Sequence, residues 1–290
     1  MTDVRCVVDA QNLLGETPLW CPRTRSVWWL DIEQPKLQAF HPETGDYRVF
    51  PFETDFLGSL ALRQSGGLIL ALNLALHAFD PETGRLDHLC DVETGAQNRL
   101  NDGRCDAQGR FWVGTMDVGL SEPRGALYSV AADHSVRRHA QDIIVSNTIA
   151  VSPDQRTLYV SDTRRFVTWA YDLDSASGTL SRRRVFVDFS ATRDRPDGAC
   201  IDAEGHVWIA MFSGSRIARY RPDGTLDQVI CLPVTNPTCL CFGGDDLATL
   251  YISTARKFLS AEQLAAEPLA GALLAIEPGV RGLPEPMFAG

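Results

Sequence analysis

Short apolar runs recur along this chain, separated by turn-forming clusters about every dozen residues. Long stretches of helical periodicity are nearly absent, so the pattern predicts an all-β protein. One short strand returns six times: SVWWLDI, GLILALN, RFWVGTM, TLYVSDT, HVWIAMF and TLYISTA. Its second position is held in turn by Trp28, Ile69, Trp112, Tyr159, Trp208 and Tyr251, at intervals of 41, 43, 47, 49 and 43 residues. Large side chains at such positions pack between neighbouring sheets. A period of this length with several strands per unit is the mark of a β-propeller.

Each unit repeats one order. A strand precedes a tight turn (CPRTRS, RQSGG, DAQGR, SPDQR, DAEGH or GGDDLA), and the recurring strand follows. A third strand ends in another turn, as in FHPETGD or FDPETGR, and a fourth closes the unit, as in YRVFPF or RVFVDF. Six units predict a six-bladed β-propeller of four-stranded blades, one domain over residues 1–290. The N-terminal CVV stretch is expected to close the ring as the outer strand of the last blade, which removes an exposed edge. The single helical signal is SAEQLAAE, where Ser260 and Gln263 have the spacing of a capping box.

Counting back from the second position reaches the start of each preceding strand. Twelve residues before Trp28 is Glu16, and eleven before Trp112 is Asn101. Twelve before Tyr159 is Asn147, and eleven before Trp208 is Asp197. The other two units give Leu57–Gly58 and Thr238–Cys239. First strands of propeller blades line the central axis, so matched positions form a ring. Four places in that ring carry a side-chain oxygen. Converging carboxylates and carboxamides need a partner, and a divalent cation supplies one. Glu16 and Asp197 would balance its charge, and Asn147 would add a neutral oxygen. Arg99, two residues before Asn101, points to the same side of an extended strand. Taken singly, each residue also has a local reading. Asp197 in Arg-Pro-Asp-Gly and Asn101 in Asn-Asp-Gly suit turns, Asn147 can bond its own backbone, and Glu16 can face solvent.

Composition narrows the function. The net charge of −10 argues against nucleic acid or an anionic membrane as partner. No apolar run is long enough to span a bilayer, and the first residues lack the features of a signal peptide. The expectation is a soluble cytoplasmic protein. Eight scattered cysteines form no C-x-x-C motif and read as buried free thiols in a reducing compartment. None of the six histidines pairs with another at ligand spacing; His41, His77 and His88 read as blade-surface residues. Arg182–Arg184 and Asp245–Asp246 read as solvated turns.

The segments GETPLW, RLNDGRCDAQGRFWVGTM, SNTIAVSPDQRTLYVSDT, RPDGACIDAEGHVWIA and CFGGDDLATLYISTARK follow one another in the order found in a known family. The chain resembles the gluconolactonase, regucalcin (senescence marker protein) and luciferin-regenerating-enzyme group. Thr17 stands where that group usually has Gly or Ser. The resemblance implies a propeller holding one divalent metal on Glu16, Asn147 and Asp197. It implies that Asn101 lies near the metal or binds substrate, and that Arg99 contacts substrate. Some members carry an acid in the loop after Gly-Thr-Met; Gly119 stands at that place here, which points to a different sugar preference.

The activity so implied is hydrolysis of sugar-acid lactones to aldonic acids in sugar oxidation. The metal would polarise the lactone carbonyl. Asp197 is the first candidate to accept the proton of the attacking water, with a cation-activated water as its rival. Arg99 and Asn101 would grip ring hydroxyls. Oxygen ligands admit Ca²⁺, Mg²⁺, Mn²⁺, Fe²⁺ or Zn²⁺. Two alternatives share the same site: hydrolysis of other esters or phosphotriesters, and a non-enzymatic calcium-binding propeller.

Overall fold

The computed structural model describes residues 3–95 and 97–290. The chain opens with β1 (Arg5–Val8). Blade 1 follows as β2 (Gly15–Cys21), β3 (Ser26–Asp31), β4 (Lys36–Phe40) and β5 (Tyr47–Pro51). Blade 2 is β6 (Leu57–Leu62), β7 (Leu68–Leu72), β8 (Ala75–Asp80) and β9 (Arg85–Asp91). Blade 3 is β10 (Asn98–Cys105), β11 (Phe111–Asp117), β12 (Gly125–Val130) and β13 (Val136–Ile143). Blade 4 is β14 (Ser146–Val151), β15 (Thr157–Asp162), β16 (Val167–Asp174) and β17 (Thr179–Asp188). Blade 5 is β18 (Arg195–Ile201), β19 (Val207–Phe212), β20 (Arg216–Tyr220) and β21 (Leu226–Cys231). Blade 6 is β22 (Pro237–Gly243), β23 (Thr249–Thr254) and β24 (Leu273–Ile276), with β1 as its outer strand. The fold is a six-bladed β-propeller of four-stranded blades, and every blade is antiparallel, as expected.

The chain divides into two compact units of three blades. One is the chain up to Glu53 with Thr192–Pro284, and holds blades 1, 5 and 6. The other is Thr54–Ala191 with Glu285–Gly290, and holds blades 2, 3 and 4. In each unit the core lies between neighbouring blades. All six second positions are buried. In the first unit, Trp208, Ile217, Leu240, Ile252 and Leu274 form one cluster, and Trp20, Trp29, Cys241 and Tyr251 another. In the second, Ile69, Leu100, Phe111 and Val113 pack together, as do Trp112, Leu127, Ile149 and Leu158. Burying each such side chain contributes about 1.5–3 kcal/mol. The Asp of the tight turn serves the repeat directly. Asp106 accepts the Trp112 indole N–H at 2.8 Å, and Asp202 accepts that of Trp208 at 2.9 Å.

Blade 6 closes as the sequence suggested: Arg5, Cys6 and Val8 pair with Ala275, Leu274 and Leu273. The helical signal is α1 (Ala261–Ala266), capped reciprocally by Ser260 and Gln263. Several local expectations change. Arg-Pro-Asp-Gly and Asn-Asp-Gly are not turns; they lie inside β18 and β10. Arg182–Arg184 belong to the outer strand β17, where Arg182 and Arg184 pair with Asp172. All eight cysteines are free, but Cys6 and Cys231 are exposed on outer strands rather than buried. His77 and His88 meet as cross-strand neighbours with ring centroids 5.3 Å apart, a pairing that their separation along the chain conceals.

Candidate functional site

The innermost strand of every blade carries one extra residue, within a residue or two of the same place. Register shifts fall between Glu16 and Leu19, Leu57 and Leu60, Leu100 and Gly103, Asn147 and Ala150, Pro196 and Ala199, and Pro237 and Cys239. Such a bulge bends the strand and re-aims its side chains. The four ring residues sit on it. Glu16 and Asn147 form the last pair before the bulge, opposite Leu30 and Ser161. Asn101 and Asp197 are the first residues within it. Counting gave twelve in blades 1 and 4 but eleven in blades 3 and 5 because the hairpin before the second position is one residue longer in the former, where Leu19 faces Trp28 and Ala150 faces Tyr159, than in the latter, where Arg104 faces Trp112 and Cys200 faces Trp208. In the first pair, the following residue, Thr17 or Thr148, adopts a left-handed backbone with φ of 45° and 56°.

All five candidate residues are buried. Exposure is 6% for Glu16, 4% for Arg99, 5% for Asn101, 4% for Asn147 and 5% for Asp197. The local reading that left Glu16 in solvent therefore falls.

The second unit brings three of the five together. Arg99 Nη1 donates to Asn101 Oδ1 at 2.6 Å and to Leu100 O at 3.0 Å. Asn101 Nδ2 donates to Asn147 Oδ1 at 2.8 Å and to Ser146 O at 2.7 Å. Asn147 Nδ2 donates to Thr163 Oγ1 at 2.8 Å. The Arg99 guanidinium and the Ser146 carbonyl fix the Asn101 carboxamide, and Asn101 Nδ2 in turn sets Asn147 Oδ1 as the acceptor, while the Thr163 hydroxyl suits either role. Asn147 is thus held by side chains of two strands, not by its own backbone. The Arg99 guanidinium also lies over the Phe56 ring, 5.4 Å from its centroid. This cation–π contact fixes the arginine from the neighbouring blade. Asp102 points the other way. Its Oδ2 accepts the Ile149 N–H at 2.8 Å, tying blade 3 to blade 4. Burial raises its pKa above the ordinary carboxylate value, partly offset by Arg104 and by backbone donors.

In the first unit, Glu16 and Asp197 sit on β2 and β18, the inner strands that flank β22. Glu16 Oε2 accepts the Thr17 N–H at 3.2 Å. Gly198, directly after Asp197, is demanded by close approach. A Cβ there would stand 2.3 Å from Cys239 Sγ and 2.9 Å from Cys239 Cα. Only glycine lets β18 press against β22 while carrying Asp197 in the bulge.

The donor chemistry fits a hard divalent cation. Two carboxylates and a carboxamide, all more than nine-tenths buried, offer oxygen alone. Among the described residues, no group of three or more His, Cys, Asp or Glu forms a metal-ligating set. In the loop after Met116 the buried acid is already engaged, and Glu122 is exposed. Asp117 accepts the N–H groups of Ser121 and Glu122, both at 3.0 Å, and pairs with Arg124 at 3.1 Å. Those backbone donors, Glu122 first, lower its pKa. Sequence reasoning missed Phe56, Ser146 and Thr163 as supports, because each acts only through a neighbouring strand.

Residues 14–256 match the family described as SMP-30/Gluconolactonase/LRE-like region. A 6-deoxy-6-sulfogluconolactonase of Pseudomonas putida is 39% identical over 289 residues, covering 99% of each chain. Regucalcin of Danio rerio is 34% identical, covering 99% of this chain and 98% of that one. A solved structure described as the calcium-binding protein regucalcin, from Agrobacterium tumefaciens, matches with a TM-score of 0.95 and 30% identity, over 99% of this chain and 97% of that one. With a fold, a motif order and relatives that agree end to end, the chain belongs to the SMP-30/gluconolactonase/LRE-like family.

Proposed function

We propose that this protein hydrolyses sugar-acid lactones to aldonic acids, with one divalent cation held by Glu16, Asn147 and Asp197. The observation that carries the reading is the buried row Arg99–Asn101–Asn147, in which a guanidinium and a candidate ligand oxygen are aimed by one carboxamide. The sulfogluconolactonase relative supports the reaction class, and the calcium-binding relative supports a divalent ion. When bound, the cation would polarise the lactone carbonyl and stabilise the charge that grows on its oxygen. Asp197 accepts the proton of the attacking water. Arg99 turns its remaining N–H groups to ring hydroxyls, and its stacking on Phe56 keeps the fork in place. Asn101 works by aiming its two neighbours, since both ends of its amide are engaged. Eight free cysteines suit a reducing compartment, and we place the protein in the cytoplasm. Among the described residues, no helix is long and apolar enough to cross a membrane.

A panel of five- and six-carbon aldonolactones, followed by acid release, tests this. We expect turnover that chelator abolishes and that one of Ca²⁺, Mg²⁺, Mn²⁺, Fe²⁺ or Zn²⁺ restores. Asp197→Ala is expected to reduce it at least about a hundredfold while the circular dichroism spectrum is kept. No lactone opened above the uncatalysed rate with any metal overturns the reading. Stoichiometric calcium binding without turnover favours the non-enzymatic alternative.

A further inference from the structure

The residue that opens each inner strand can be compared across blades, because it lies opposite the fourth residue after the second position. Arg99 pairs with Met116, and Arg195 with Phe212. Leu14, Phe56, Val145 and Asn236 accept the N–H of Ile32, Asn73, Thr163 and Ala255 at the same register. Three of the six are apolar. Asn236 is engaged by the Ser213 N–H and by Lys257 O. Arg99 is engaged by Asn101 and Phe56. Arg195 differs. It is partly buried, yet its guanidinium has no hydrogen-bond, ion-pair or ring partner among the described residues. Other cations at that end of the unit are paired: Arg216 with Asp194, and Lys257 with Glu33.

Arg195 and Asp197 lie two apart on β18, so they share a face at about 7 Å between Cα atoms. The Arg195 guanidinium keeps access to water and has no counter-charge among the described residues, so its donors are open to a ligand. Its planar fork matches a three- or two-oxygen anion better than a lone hydroxyl. We propose that Arg195 is a specificity-determining residue that binds an anionic substituent of the substrate, remote from the lactone carbonyl. The substrate class is then an aldonolactone bearing a sulfonate, carboxylate or phosphate, rather than a neutral sugar lactone. The negative net charge of the chain makes such a local cation the more necessary. This inference rests on the lactonase reading for its substrate, but not for its test.

Gluconolactone and its 6-sulfonate, 6-phosphate and 6-carboxylate counterparts are compared with the wild type, Arg195→Gln and Arg195→Lys. The wild type is expected to favour at least one anionic lactone about tenfold or more in kcat/KM. Arg195→Gln lowers that ratio about ten- to hundredfold, mainly through KM, and Arg195→Lys lowers it less. The arm with the largest ratio identifies the anion. A ratio that Arg195→Gln leaves unchanged overturns the proposal. Calorimetric titration with the open-chain 6-substituted gluconates separates the two readings. Binding that depends on Arg195 without any lactone turnover removes the lactonase reading and keeps this one. Turnover without Arg195-dependent binding does the reverse, and neither result removes both.

Discussion

At the scale of single residues, the site is held by conformations that its own side chains resist. Thr17 is β-branched, buried and left-handed, and its Oγ1 has no hydrogen-bond partner. A left-handed backbone costs such a residue about 1–2 kcal/mol relative to glycine. The neighbouring Glu16 is the residue that this turn positions. Relief of strain in Thr17→Gly should roughly offset the lost burial, so the melting temperature is expected to stay within about 3 °C of the wild type. The same change at Thr254, buried on a regular strand and donating to Ala272 O at 2.6 Å, lacks that relief. It is expected to cost about 3 kcal/mol. Paired thermal melts check both; an equal loss at the two sites would show that Thr17 stores no strain.

At the scale of strands, inner and outer positions have different tasks. The inner strands carry the buried candidate site residues, while the outer strands meet water. His139 on β13 illustrates the outer role. It lies against Trp112 with centroids 4.7 Å apart, and its Nε2 is 2.7 Å from Ser129 Oγ. Burial first, then Arg137 and Arg110, lowers its pKa to about 4. The folded state thus prefers the neutral ring. The stability this gives is complete above pH 6.5 and is lost as pH falls toward about 4, on the order of 2 kcal/mol after screening. Melts of wild type and His139→Gln between pH 7 and pH 4 should show a steeper fall for the wild type; parallel curves would contradict it.

At the scale of the whole molecule, the chain ends complete blades begun elsewhere in the sequence. Strand β1 supplies the outer edge of blade 6. Phe288, fully buried, has its N–H bonded to Leu62 O at 2.8 Å and its carbonyl bonded to the Gln64 N–H at 2.9 Å, in the unit of blades 2, 3 and 4. Removing residues 1–9 is expected to uncover the edge of β24, lowering the melting temperature by several degrees and promoting concentration-dependent association. Light scattering and melting of the truncated chain check this, and unchanged behaviour would mean that β1 is dispensable.

The number of blades, the strand order and the closing strand were all legible in the amino-acid sequence. Those follow from local periodicity and turn chemistry, which repeat every forty to fifty residues. The sequence also singled out Glu16, Asn101, Asn147 and Asp197 as matched positions of the repeat, and Arg99 as sharing the strand face of Asn101. That Arg-Pro-Asp-Gly and Asn-Asp-Gly are bulged strands came from the fold, since a turn and a bulge use similar residues. The fold alone showed that Asn101 joins Arg99 to Asn147, that Phe56 braces Arg99, and that the Arg195 side chain has no partner among the described residues. These depend on contacts between strands distant in the chain, where a side chain's neighbours are set by register and blade packing rather than by adjacent residues.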